Sequence, residues 1–265
     1  MKSMRPLSLL TVLLAAVLMT PANSDPMKVE VKQFGGSVTI PKRASGVSYH
    51  WPLATEKFVV MTPADYDPNK SYGLLVDIGP SNSFAVPRSW GPVLAQKNML
   101  LVAPLKVGND QNPARRMGMA VLGAQAMKRD FNIDSHRVYV SGLSGGARTA
   151  NVVAFYHPET FKGAIPICGA SFYKSITAKN GAGGSKYARL IRGGSTNINA
   201  VKSEVKFALV TGSSDFRQGD VQDIYQQGYE RENFRARLFD VDGMGHQYCS
   251  GQTLAEVLGY LDSRP

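Results

Sequence analysis

Gly142-Leu143-Ser144-Gly145-Gly146 is a Gly-x-Ser-x-Gly sequence lying directly after the apolar run Arg137-Val138-Tyr139-Val140-Ser141. The segment that follows, Gly146 to Tyr156, carries Ala147, Ala150 and Ala154 as a small-residue stripe at helical spacing. A serine on a sharp strand-to-helix turn needs flanking glycines, because the turn strains the backbone and brings neighbouring chain close. The same geometry lifts its hydroxyl above the edge of a sheet. Amides at the start of the next helix, that of Gly145 first, would point at a developing oxyanion. Five letters alone fit a plain glycine-rich turn equally well; the strand before and the helix after favour a nucleophile at Ser144.

A serine hydroxyl needs a base, and the chain has four histidines. His246 stands in Gly243-Met244-Gly245-His246, after the late apolar run Leu238 to Val241 and before a C-terminal helical pattern. In a parallel sheet this puts it at the same strand-end edge as Ser144. His136 precedes a strand at the opposite edge, His157 sits before Pro158 at a helix end, and His50 adjoins Trp51; packing or capping accounts for each. The base needs a carboxylate to fix its tautomer and stabilise the imidazolium. Asp215 follows the run Phe207 to Thr211 through Gly212-Ser213-Ser214. Asp220 is a credible substitute and Asp242 is nearer in sequence, but the chain order Ser144, Asp215, His246 is the one a nucleophile elbow of this type uses.

The elements that must hold these groups are legible as apolar runs at Phe58 to Met61, Gly73 to Ile78, Met99 to Ala103, Val138 to Ser141, Gly163 to Ile167, Phe207 to Thr211 and Leu238 to Val241. Met117, Val121 and Ala124 recur at helical spacing between them, as do Leu254, Val257, Leu258 and Leu261 at the C-terminus. Strands alternating with helices predict βαβ units, hence an α/β fold with a mostly parallel sheet covered on both faces. Val29 to Lys32 and Ser37 to Ile40, joined through Gly35 and Gly36, predict a hairpin at the antiparallel N-terminal edge. Ser171 to Ala200 breaks the alternation; it is rich in glycine, lysine and arginine and reads as a loop-rich excursion, too short for a second domain.

With 265 residues, 43% hydrophobic and 19% charged, the chain can bury one sizeable core and is poorly suited to disorder. Its formal charge of +10 favours anionic partners, yet no basic run interleaved with aromatics appears, so nucleic acid is not indicated. Lys2 and Arg5 precede the apolar stretch Leu7 to Met19 and the small-residue sequence Ala22-Asn23-Ser24, which together predict a secretory signal peptide over 1–24 and a domain over 25–265. The stretch is too short to span a bilayer, and no other segment is apolar enough. The expected location is therefore periplasmic or secreted. Cys168 and Cys249 form no Cys-x-x-Cys pair and cannot make a zinc site alone, so no metal is expected. Both lie near the active edge of an exported chain, which predicts a disulfide between them.

The segment Phe58-Val59-Val60-Met61-Thr62-Pro63-Ala64-Asp65-Tyr66-Asp67-Pro68, the strand Tyr72 to Gly79, Asn132-Ile133-Asp134 leading into the Ser144 elbow, and Pro158, Phe161 and Gly163 after it resemble one family. From about Lys57 to its end the chain resembles serine hydrolases of the α/β-hydrolase fold, in the branch of esterase D, feruloyl esterases and polyhydroxybutyrate depolymerases. That resemblance implies an acyl-enzyme mechanism on small or polymeric carboxylic esters without a cofactor. One departure stands out. The family's first oxyanion donor comes from a His-Gly-x turn, where this chain has Ile78-Gly79-Pro80-Ser81, and Pro80 has no amide proton. Either Ser81 or a rearranged loop supplies that donor, or activity is weak, whereas the Gly145 amide is intact.

Two other functions compete with an esterase: an exopeptidase or amidase using the same triad, and a binding protein of this fold with weak turnover. An exopeptidase needs paired carboxylates for a substrate amine, and none flank the elbow or stand in the excursion. That excursion instead has Lys174, Lys179, Lys186, Arg189 and Arg192 beside Phe172, Tyr173 and Tyr187. Bordering a pocket, these residues would suit an aromatic or acidic substrate; the alternative is a solvated loop.

Overall fold

The computed structural model describes residues 25–39, 51–177, 186–187 and 197–263. The predicted signal peptide over 1–24 lies outside them, as does His50. Eight strands form one sheet: β1 (Met27–Lys32), β2 (Phe58–Pro63), β3 (Tyr72–Ile78), β4 (Met99–Pro104), β5 (Ile133–Leu143), β6 (Gly163–Ile167), β9 (Lys206–Gly212) and β10 (Ala236–Val241). Their order is β1-β2-β4-β3-β5-β6-β9-β10. β2 runs antiparallel to both β1 and β4; every other pairing is parallel. Two-residue strands β7 (Ile176–Thr177) and β8 (Lys186–Tyr187) pair separately within the excursion.

Alternation along the central strands sets the two layers, because successive side chains point to opposite faces. Leu74, Val76 and Ile78 of β3, Leu100 and Val102 of β4, and Phe207 and Leu209 of β9 enter one core. That core is covered by α2 (Pro113–Asp130) and α3 (Gly145–Tyr156), with Val201 of α4 (Ile198–Glu204) and Val221 and Ile224 of α5 (Gln218–Ile224) also packed into it. Leu75, Met99, Leu101, Ala208 and Val210 face the other way, against α1 (Trp90–Gln96) and α6 (Gly251–Asp262). Capping follows the sequence: Asn112 accepts from the Ala114 amide at 2.8 Å before Pro113 opens α2, and Ser250 caps α6 through the Thr253 amide at 3.2 Å. A π-helical turn, Tyr225–Glu230, extends α5 toward β10.

The predicted N-terminal hairpin does not form. β1 pairs with β2 in the register Met27↔Pro63 to Lys32↔Phe58, and Ser37 to Thr39 are not strand. β2 offers an open edge of a sheet already anchored by β4, so β1 gains a ladder on a packed template rather than on a two-stranded ribbon, which is marginal in water. The antiparallel edge is present, with a different partner. Among the described residues no helix is long and apolar enough to cross a membrane.

Candidate active site

The turn from β5 to α3 is strained at Ser144, whose φ of 58° and ψ of −114° put a non-glycine residue at positive φ. Its amide donates to Ile167 O at 2.8 Å, and its side chain makes no capping bond to α3. The flanking glycines are required by contact. A Cβ on Gly146 would sit 1.8 Å from Ile78 O, and one on Gly142 would sit 2.5 Å from the Gly146 carbonyl carbon. The elbow is therefore packed onto the end of β3, with the hydroxyl left for chemistry.

His246 and Asp215 meet as expected: His246 Nδ1 lies 2.7 Å from Asp215 Oδ1. The carboxylate is buried and also accepts from the Arg217 amide at 3.0 Å and Thr211 Oγ1 at 2.9 Å. Burial pushes its pKa up, but these bonds, with His246 among them, outweigh it and hold the group below its ordinary value. Asp220 is paired with Arg217 at 2.9 Å, and Asp242 accepts from Ser213 Oγ at 3.0 Å. Neither of those carboxylates is hydrogen-bonded to His246, so Asp215 is the one placed as its partner. Phe216, 59% exposed, stacks on the imidazole at 4.3 Å between centroids, a contact that no sequence pattern announced. His136 is exposed on β5, and His157 is buried at the end of α3 with Glu159 Oε1 at 3.0 Å from Nδ1.

The end of β6 touches both the Ser144 turn and the His246 loop. Cys168, at φ 53°, follows the carbonyl bonded by Ser144, and its Sγ lies 3.6 Å from Gly245 O and 3.4 Å from Gln247 O, the carbonyls flanking His246. A Cβ on Gly169 would meet Ser144 O at 2.8 Å. The expected disulfide is absent: Cys168 and Cys249 are free, buried thiols. Cys168 is turned to the His246 loop, while Cys249 sits in the α1 and α6 core with its carbonyl accepting from Trp90 Nε1 at 2.8 Å. Burial raises both thiols, Cys249 to about 12 and Cys168 further. Cys168, Asp215 and His246 bring three donor atoms within 4.8 Å of one another, with the carboxylate already bonded to the imidazole.

The loop after β4 flanks the nucleophile. Ser81 is exposed with its hydroxyl turned to Ser83 O at 3.1 Å, and it does not line the cavity in front of Ser144. Instead the loop after β4 clamps onto the turn after β3: Asn109 N donates to Pro80 O at 2.9 Å and Gly108 N to Asn82 Oδ1 at 3.0 Å. This clamp lays the Asn109 carboxamide over Gly145, so close that a Cβ there would be 2.0 Å from Asn109 Oδ1. Asn109 lines the cavity with Ser144 and Gly145.

That cavity, of about 410 Å³, is walled by Arg116 and Met117 of α2, Arg148 and Val152 of α3, and Arg217. The excursion contributes nothing described to it. Tyr173 packs on Phe155 and Phe172 and, like Lys174, bonds Glu232, so these three groups of the excursion serve another surface. Lys179, Arg189, Arg192 and the side chains of Lys186 and Tyr187 lie outside the described residues.

Beneath the His246 loop, Asp77 at the end of β3 is buried and accepts from Ser141 Oγ at 2.7 Å and Tyr248 OH at 2.8 Å. Tyr248 follows His246 by two residues, so this bond ties the loop to the sheet. Burial raises Asp77 to about 6, and the two hydroxyl donors oppose that rise. Because its folded pKa exceeds the unfolded value of 3.8, the folded state holds a proton that the unfolded chain has released. The stabilisation is complete below the unfolded pKa and lost as pH climbs through about 6, a change on the order of 3 kcal/mol. Denaturant midpoints of Asp77→Asn, compared with the parent at pH 4 and pH 7, are expected to shift in favour of the variant at the higher pH. An equal difference at both values would remove the assignment.

No family model matches the chain. A stretch of 100 residues, 34% of the chain, is 39% identical to poly(3-hydroxyalkanoate) depolymerase C of Paucimonas lemoignei, and the match spans 23% of that protein's length. Among solved structures, S-formylglutathione hydrolase FrmB of Staphylococcus aureus aligns with a TM-score of 0.61 at 14% identity, covering 89% of this chain and 98% of its own. An esterase of Rhizomucor miehei aligns at 0.57 and 13%, covering 88% and 83%.

Proposed function

The chain has the α/β-hydrolase fold, and we propose that it hydrolyses carboxylic esters through an acyl-enzyme on Ser144. The observation that carries this reading is the strained serine itself, held at positive φ between β5 and α3 beside a strand end that also holds the His246–Asp215 pair. Strain of this kind costs on the order of 1 to 3 kcal/mol and is kept where geometry matters to function. In the reaction, Ser144 Oγ bonds the acyl carbon as His246 takes its proton. The oxyanion is met by the Gly145 amide and the Asn109 carboxamide. Collapse expels the alcohol with the proton returned by His246, and water repeats the sequence to free the acid. Among the described residues no hydrogen bond joins Ser144 Oγ to His246; such bonds commonly tighten only when substrate is bound.

Among the described residues arginines rather than carboxylates line the cavity, which favours an ester over a peptide amine. The depolymerase stretch makes 3-hydroxyalkanoate esters the first substrates to test. The leader pattern supports export to the periplasm or beyond. A fluorophosphonate probe is expected to label the folded protein at Ser144 alone, read by peptide mass. An unlabelled Ser144 in protein of native circular dichroism would leave the fold as a binding scaffold.

A further inference from the structure

Among the described residues the guanidinium groups of Arg116, Arg148 and Arg217 line the cavity that holds Ser144, and no carboxylate lines it with them. Arg217 has a direct counter-charge in Asp220 at 2.9 Å. Arg116 is different. It is 7% exposed, yet its hydrogen bonds run to uncharged carbonyls, Nε to Val107 O at 2.7 Å and Nη2 to Gly79 O at 3.3 Å. Asp110, the carboxylate that acts on it electrostatically, is exposed and hydrogen-bonded to Asn82. A buried cation held by neutral dipoles is costly unless an anion joins it. Arg148 stands four residues past Ser144 on α3, one turn along the same wall, half-buried. A guanidinium fork suits a carboxylate through two parallel bonds.

Resting on the ester reading above, we propose that the substrate is an ester bearing a second, anionic group, a carboxylate, which Arg116 and Arg148 hold while Ser144 attacks the ester carbonyl. The chain's overall +10 charge would favour the approach of such a substrate. This specificity would lie in α2 and α3, where Arg116 and Arg148 stand.

Two matched pairs of probes test it, each exchanging only a carboxylate for an isopropyl group. Monoethyl succinate against ethyl 4-methylpentanoate places the charge on the acyl side; butanoyloxyacetate against isobutyl butyrate places it on the alcohol side. In at least one pair kcat/KM is expected to favour the anion by about tenfold or more, the scale of one hydrogen bond to a charged group. The ratio is expected to collapse in Arg148→Gln and to fall in Arg116→Gln or, where that variant fails to fold, in Arg116→Lys, which keeps the charge but not the fork. A ratio at or below unity in both pairs, or one untouched by Arg148→Gln, overturns the proposal. Turnover of neither member of either pair counts against the ester reading instead. Calorimetric titration of succinate into Ser144→Ala protein then decides the anion site separately: binding lost in the Arg148→Gln double variant supports it, and no binding at millimolar succinate overturns it.

Discussion

Replacing Ser144 by alanine is expected to lower ester turnover by about three orders of magnitude or more, with the residual rate supplied by the oxyanion donors and substrate binding. The substitution removes one oxygen from a side chain that makes no hydrogen bond to the helix it precedes, so the fold is expected to persist. It does not relieve the backbone, since alanine at φ 58° suffers the same clash as serine. Ser144→Gly should therefore be the more stable of two inactive proteins, by about 1 kcal/mol in denaturant titrations. Turnover within a few fold of the parent in a cleanly folded alanine variant would sink the nucleophile assignment. Equal midpoints for the alanine and glycine variants would instead remove the argument from strain.

How much of this was legible before any coordinates follows from the kind of signal each part leaves. β6 matches its apolar run, Gly163 to Ile167, residue for residue, because a strand buried on both faces is written as a continuous apolar stretch. The elbow was legible because Gly142 and Gly146 are demanded by backbone contacts under 3 Å, and only one residue type meets that demand. Asp215 and His246 were found by their position after strand ends. Asn109, Phe216 and Asp77 were not. Asn109 reaches Gly145 only because two loops 26 residues apart clamp together through Gly108 and Asn82, an arrangement with no periodic trace. Asp77 reads as one polar residue in an apolar strand until Tyr248, 171 positions later, is seen to bond it. The hairpin failed for a related reason: glycines can mark a turn, but which edge a strand joins depends on a sheet assembled from the rest of the chain. The arginine wall leaves no sequence trace because each guanidinium sits singly in its own element, whereas basic residues cluster in sequence in the excursion.

Asp215→Asn is expected to lower turnover by about two to three orders of magnitude, and Asp215→Ala by more. The asparagine effect depends on which way the amide faces. Oδ1 of Asp215 takes bonds from both His246 Nδ1 and the Arg217 amide, while Oδ2 takes one from the Thr211 hydroxyl. The Arg217 amide can only donate, so an asparagine NH2 placed there would set donor against donor. The threonine hydroxyl can rotate to accept. The carboxamide oxygen therefore stays toward His246, the imidazole keeps the tautomer in which Nδ1 carries its proton, and Nε2 remains free to take the proton of Ser144. What is lost is the negative charge opposite the imidazolium formed in the transition state. That loss appears in kcat rather than KM, since the charge develops only as the serine proton moves. Alanine loses tautomer control as well and leaves the Arg217 amide without its acceptor. Asp220→Asn serves as the comparison, because Asp220 pairs with Arg217 and has no bond to His246. It should stay within about tenfold of the parent in kcat. A larger loss in Asp220→Asn than in Asp215→Asn would transfer the orienting role to Asp220 and require the loop after β9 to rearrange in the working enzyme.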